Sequence, residues 1–156
     1  MLPISFWLMI AIDTNVLLRF LFKPVDNFNP KWQVDVAEAL INKADKVFIS
    51  SIVIAETEWV LESVFECNRQ EIYSVIHELA SNSKFQFDDW SALNNALLDY
   101  IEYNAVELSD CLIARRAQNE GATTLFTFEN EKKLGALPVV TTLKKTSLVR
   151  IVRWVI

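Results

Sequence analysis

Glycine is nearly missing from this chain, with only two in 156 residues. A cradle of backbone amides for phosphate needs several glycines at fixed spacing. Gly121 and Gly135 can write neither a P-loop nor a GxGxxG dinucleotide fingerprint. Histidine is scarcer still. The single one, His77, lies in Ser74-Val75-Ile76-His77-Glu78 with no supporting constellation, and reads as a surface or boundary residue. Cys67 and Cys111 lack zinc-type spacing and read as small core thiols. The amino terminus has neither a basic n-region nor an A-x-A cleavage pattern, so the thiols point to a reducing cytoplasm. Its apolar stretch is too short to span a bilayer. Positive charge is not in excess either. A net charge of −5 argues against a non-specific nucleic-acid coat, but leaves room for an enzyme that approaches nucleic acid through a metal.

What the chain does have is apolar bulk, at 52%, and acids set into it. Asp13 ends the run Ile10-Ala11-Ile12 and precedes Thr14-Asn15-Val16-Leu17-Leu18. A short branched apolar run reads as a buried parallel strand, and the residue just past it faces the crevice where open α/β sheets bind ligands. A charge in a partly dry crevice costs several kcal/mol unless compensated. Glu56 within Ser51–Leu61, Asp110 within Leu108–Ala114, and Glu129 after Thr124–Phe128 repeat the placement. Carboxylates that converge raise one another's pKa, and a hard divalent cation, Mg²⁺ or Mn²⁺, one ion or two, removes the conflict.

The length suits one domain, 9–143, preceded by an apolar extension, 1–8, and followed by a basic and apolar tail, 144–156. Strand and helix alternate. Strands are expected at 9–13, 46–49, 84–87, 123–128 and 137–140. Helices are expected at 14–22, 31–44, from Ser50 or Ser51 to Phe65, 69–80, from Asp88 or Asp89 to Tyr103, and from a Ser109 cap to Glu120, closed by Gly121. A turn of helix follows at 130–134, and Pro24 to Pro30 reads as a loop. Such alternation implies a mostly parallel sheet with helices on both faces, a three-layer α/β/α fold. On the helical wheel Asp110 shares a stripe with Ile113, Ala114 and Ala117. Glu56 borders a Val53-Val60-Val64 stripe, while Glu58 and Glu62 point more toward solvent.

In these four segments, Ile10–Arg19, Ser51–Glu56, Leu108–Ala114 and Leu125–Glu129, the chain resembles the PIN-domain family, and within it the VapC-type toxins of bacterial toxin–antitoxin pairs. The likeness covers roughly residues 9–141. It implies a Mg²⁺- or Mn²⁺-dependent ribonuclease in which Asp13, Glu56 and Asp110 match the acidic metal ligands. Asn15 and Thr127 match the polar positions that support them. The family usually carries Asp where this chain has Glu129, one methylene longer, which alters how that acid can meet an octahedral Mg²⁺. The resemblance also implies an RNA substrate, a small antitoxin and a homodimer.

Arg19, Arg115 and Arg116 are candidate RNA-backbone contacts, against the ordinary expectation that an Arg is merely exposed. Trp59, Trp90, Phe85 and Phe87 fall at core-like positions. Trp32, Phe20 and Phe22 are expected to join an apolar surface for dimerisation or antitoxin binding. A haloacid-dehalogenase-like phosphatase needs a second Asp two residues after the first, where this chain has Asn15. A receiver domain lacks its paired acids here as well. The reading left beside the nuclease is a PIN-like binding module weakened by Glu129.

Overall fold

A computed structural model describes residues 9–24 and 29–145; the expected extension at 1–8, most of the tail and the heart of the Pro24–Pro30 loop lie outside them. The chain divides into two compact units, Met1–Trp90 and Ser91–Ile156.

The first unit is built on three short strands, β1 (Met9–Ala11), β2 (Lys46–Ile49) and β3 (Phe85–Phe87), side by side in that order and all parallel. Parallel neighbours need long crossovers. Helices α1 (Thr14–Leu21) and α2 (Lys31–Lys43) join β1 to β2, and α3 (Ser51–Ser63) and α4 (Arg69–Ser81) join β2 to β3. Val47 faces Ile10 on one side and Phe85 on the other. Val47, Ile49, Leu17, Ile41, Ile54, Leu61 and Ile76 are sealed from solvent.

The helix starts obey local chemistry. Asp13 caps α1, its Oδ1 accepting from the Val16 N–H at 3.0 Å. Ser50, rather than Ser51, caps α3 through the Val53 N–H. Asn68 and Glu71 form a reciprocal capping box at α4, satisfying two otherwise orphaned donors.

In the second unit α5 (Trp90–Glu102, its first residue belonging to the first unit) and α6 (Leu108–Asn119) precede β4 (Leu125–Thr127), a 3₁₀ turn (Leu134–Ala136) and β5 (Val140–Thr142). β4 and β5 pair in parallel, Leu125 opposite Val140 and Thr127 opposite Thr142. Leu93, Leu97, Val106, Leu108 and Leu137 are fully buried. Helix α6 ends as expected at Gly121, whose φ of +94° is left-handed and needs no Cβ. The Gly121 and Ala122 N–H groups reach back to Gln118 and Ala117 carbonyls.

The α/β class and parallel pairing match the sequence reading. Three details differ. Glu107, not Ser109, stands at the start of α6, and without a side-chain cap. The last strand begins at Val140, because Pro138 lacks a ladder donor and Leu137 turns inward to full burial. The short helical turn comes at Leu134–Ala136 instead of 130–134. There Gly135 has no spare room: a Cβ would come within 2.8 Å of the Asn130 carbonyl oxygen and would strike the Thr142 hydroxyl.

Candidate metal and substrate site

The end of β1 delivers Asp13 to the surface, and the capping bond that starts α1 occupies its Oδ1. The next residue, Thr14, is buried, and its hydroxyl donates to the Glu56 carboxylate at 2.5 Å. That bond ties the first turn of α1 to α3 across 42 residues of sequence. Asp13, Thr14, Asn15, Glu56 and Trp59 line one cleft of about 430 Å³. Thus the structure brings Asp13, Asn15 and Glu56 together, and adds Thr14, which the sequence reading did not single out. Its signal was present: a hydroxyl beside the first acid, at a helix start where it must turn inward.

Helix α3 explains why the choice of Glu56 was difficult. Its buried stripe is Ile54-Thr57-Glu58-Leu61, not Val53-Val60-Val64. The helix is apolar on both sides, so periodicity alone misplaced its inner face by about one residue. Glu58, expected toward solvent, is only 4% exposed, whereas Trp59, expected in the core, is 64% exposed beside Glu56. Glu56 itself is exposed and opens onto the cleft.

In the second unit Asp110 lies in the first turn of α6, half-buried. Burial pushes its carboxyl above the ordinary value, the charge of Glu129 pushes the same way, and Lys133 opposes them. Asp110 and Glu129 are therefore close enough to repel. Glu129 is exposed in the turn after β4. Its N–H donates to the Thr127 hydroxyl at 3.0 Å, and the Thr142 hydroxyl donates to its carbonyl at 2.9 Å. Thr127 shapes the turn that carries Glu129.

The three arginines differ. Arg19 donates from Nε to Gln33 Oε1 at 2.7 Å and lines a second cleft with Asp13 and Asn15. Arg115 forms a two-pronged pair with Asp99, Nε to Oδ2 at 2.6 Å and Nη2 to Oδ1 at 2.8 Å, and its Nη1 reaches Gln118. Asp99 is buried, and this bond holds the Arg115 guanidinium's pKa above its usual value. The pair gives Arg115 an internal task that its sequence position did not suggest. Arg116 is half-buried in the same helix.

The aromatic expectations also divide. Phe22 stacks on Phe65 at 3.9 Å and Phe20 meets Phe85 edge-on at 6.1 Å, so both are engaged within the unit. Phe85 is buried and Phe87 half-buried, as expected. Trp90 is 58% exposed, anchored by its indole N–H to the Ala80 carbonyl. Cys111 is buried and Cys67 half-buried, and neither forms a disulfide. His77 is an exposed residue stacked on Tyr73.

Among the described residues no three His, Cys, Asp or Glu side chains are gathered into a ready metal cage. Each unit instead offers carboxylates: in the first, Asp13 held by the Val16 N–H and Glu56 held by the Thr14 hydroxyl; in the second, Asp110 under the charge of Glu129, whose backbone N–H is held by Thr127. This all-oxygen donor chemistry fits a hard divalent cation and does not fit zinc or copper.

Parallel α/β units with acids placed just past strand ends and in the helices that follow define a class of acid-bearing crevice domains. The PIN domain family model matches residues 10–135, and the chain belongs to the PIN-domain family. It is 29% identical over 125 residues to the VapC ribonuclease of Aquifex aeolicus (strain VF5), a match covering 80% of this chain and 90% of that protein. No solved structure matches the chain. Among the described residues no helix is long and apolar enough to cross a membrane.

Proposed function

We propose that this chain is a Mg²⁺- or Mn²⁺-dependent endoribonuclease and the toxin of a toxin–antitoxin pair. The observation that supports this reading most is the family match over residues 10–135, a span that contains Asp13, Glu56 and Asp110, together with the cleft that Asp13 and Glu56 share. The likeness to a VapC ribonuclease supports RNA as substrate. In this reading Asp13, Glu56 and Asp110 hold the metal, and Glu129 contributes through a longer arm.

A carboxylate-bound divalent cation supplies an acidified water and neutralises phosphate oxygens. The chain's own residues prepare for that chemistry. Val16 N–H holds one oxygen of Asp13, and the Thr14 hydroxyl orients Glu56. Asn15 offers a neutral amide on the same cleft. Thr127 and Thr142 fix the backbone from which Glu129 projects. Arg19, set by Gln33, presents a cation to the phosphate backbone.

The toxin role implies a cytoplasmic protein, a small antitoxin and a homodimer. Large exposed apolar side chains, among them Ile52, Trp59, Leu98, Phe126 and Phe128, support a chain that meets partners. The alternative is a PIN-like binding module that does not cleave.

The test is cleavage of single-stranded RNA with Mg²⁺ or Mn²⁺. Loss of supporting groups around a metal typically costs about 10–100-fold, so Asp13→Asn, which loses a ligand, should lose more than about a hundredfold, with its thermal midpoint retained. Full activity in Asp13→Asn removes the metal-nuclease reading. Inactivity of the wild type toward RNA with either metal favours the binding module.

A further inference from the structure

A second cleft shares Asp13 and Asn15 with the Glu56 cleft, and most of its lining has no role in the chemistry above. It measures about 340 Å³ and runs along α1 and α2, lined by Asp13, Asn15, Val16, Arg19, Trp32, Gln33, Val36, Ala37 and Leu40. Trp32, in the first turn of α2, is 65% exposed, and no hydrogen bond or ring contact engages its indole among the described residues. A large ring left open to water beside an acid-lined crevice is a costly arrangement, and Phe20 and Phe22 on the neighbouring segment avoid it by stacking internally.

We infer that this cleft is a nucleotide subsite in which one RNA base stacks on Trp32 while the adjoining phosphate meets Arg19.

The inference deepens the ribonuclease reading and rests on it for the choice of RNA. Four observations carry it. The aromatic face and the aliphatic walls of Val36 and Leu40 offer what a base's π-face takes without regard to sequence. Gln33 engages Arg19 only at Nε, so Nη1 and Nη2 have no protein partner among the described residues. A guanidinium held in this way loses little freedom when it grips a phosphate. Asp13 and Asn15 line both this cleft and the Glu56 cleft, so a nucleotide here lies next to the proposed scissile position. Finally, size selects the occupant. A volume of 340 Å³ falls at the low end of the roughly 300–1,000 Å³ of small-ligand sites.

Binding of fluorescein-labelled hexanucleotides (A₆ and U₆ RNA) is measured by anisotropy in EDTA, so that cleavage plays no part. Base–aromatic stacking is worth a factor of about ten or more in affinity per base. Trp32→Ala should weaken binding by about that factor, and Trp32→Phe should retain most of it. Replacing single nucleotides by abasic ones should weaken binding to the wild type at one position and cause no further loss there in Trp32→Ala. Equal affinity of Trp32→Ala and wild type, or an abasic penalty that survives in Trp32→Ala, overturns the subsite. So does a Trp32→Ala protein whose only change is its monomer–dimer equilibrium, since the cleft is then a protein-docking face. Trp32-dependent binding by a wild type that never cleaves RNA would retain the subsite and remove the nuclease reading, so the two failures are distinguishable.

Discussion

The two units support their acids by opposite means. In the first, donors stabilise charge: the Val16 N–H serves Asp13, and the Thr14 hydroxyl serves Glu56. In the second, Asp110 is opposed by its own burial and by Glu129, with only Lys133 in relief. The same unit nevertheless spends its best cation on a structural task, since Arg115 neutralises Asp99 instead of either acid. The difference shows that acids placed alike in sequence can meet opposite surroundings. Asp13 and Glu56 have donors of their own, while Asp110 faces burial and a like charge, a conflict that a bound cation would relieve.

The comparison is broken most severely at Arg115. Asp99 is buried, and removing its partner leaves an unpaired interior charge, which costs about 3–5 kcal/mol. Arg115→Ala should therefore lower the denaturation midpoint sharply, and replacing both partners by apolar residues should recover much of the loss. A surface-like loss of under about 1 kcal/mol would show that the pair is not what neutralises Asp99.

A smaller effect is expected from Thr14→Val, which keeps the side-chain shape but removes the donor to Glu56. Groups that orient metal ligands are worth about 10–100-fold in metal affinity or activity. Mn²⁺ affinity by electron paramagnetic resonance should fall within that range and return with Thr14→Ser, which restores the hydroxyl. A Thr14→Ser variant as poor as Thr14→Val would assign Thr14 to packing.

Asp110 should give the smallest and most diagnostic effect. Its folded-state pKa lies above the ordinary 3.8, through burial first and Glu129 second. The protonated form is then favoured by folding, so its contribution to stability is complete below the unfolded pKa and is lost as pH rises through the folded one. At neutral pH in EDTA, Asp110→Asn should melt above the wild type, and the gap should close as pH falls toward 4. Mg²⁺ or Mn²⁺ should raise the wild-type midpoint by mass action and raise that of Asp110→Asn less. A variant that melts below the wild type at neutral pH would show that burial and Glu129 together do not disfavour the charged form of Asp110.

Much of the fold was legible because its signals are local. The run Lys46–Ile49 is a strand from end to end, and Asn68 caps the helix that its spacing to Glu71 announces. Gly121 closes α6 with the left-handed backbone that glycine favours. The site was legible in part. Asp13 and Asn15 are placed by the strand-to-helix turn in which they sit, and Thr127 by the turn it shapes. Glu58 and Trp59 were misjudged because α3 carries apolar residues on its exposed side too, Ile52 and Trp59 among them, and a periodic pattern names an inner face only where the other side is polar.

The sequence by itself determined the alternation of strand and helix, the parallel class, the caps of α1, α3 and α4, and the order in which the acids arrive. Each of these depends on neighbours within a few residues, where backbone geometry and side-chain size decide. Tertiary structure alone decided which oxygen Thr14 would bind, that Arg115 would neutralise Asp99, and that Trp32 would stay open while Phe20 and Phe22 found partners. Those outcomes join residues 16 to 65 positions apart or turn on which face of a helix is covered. No short-range pattern encodes them, because the groups become neighbours only when the chain has packed.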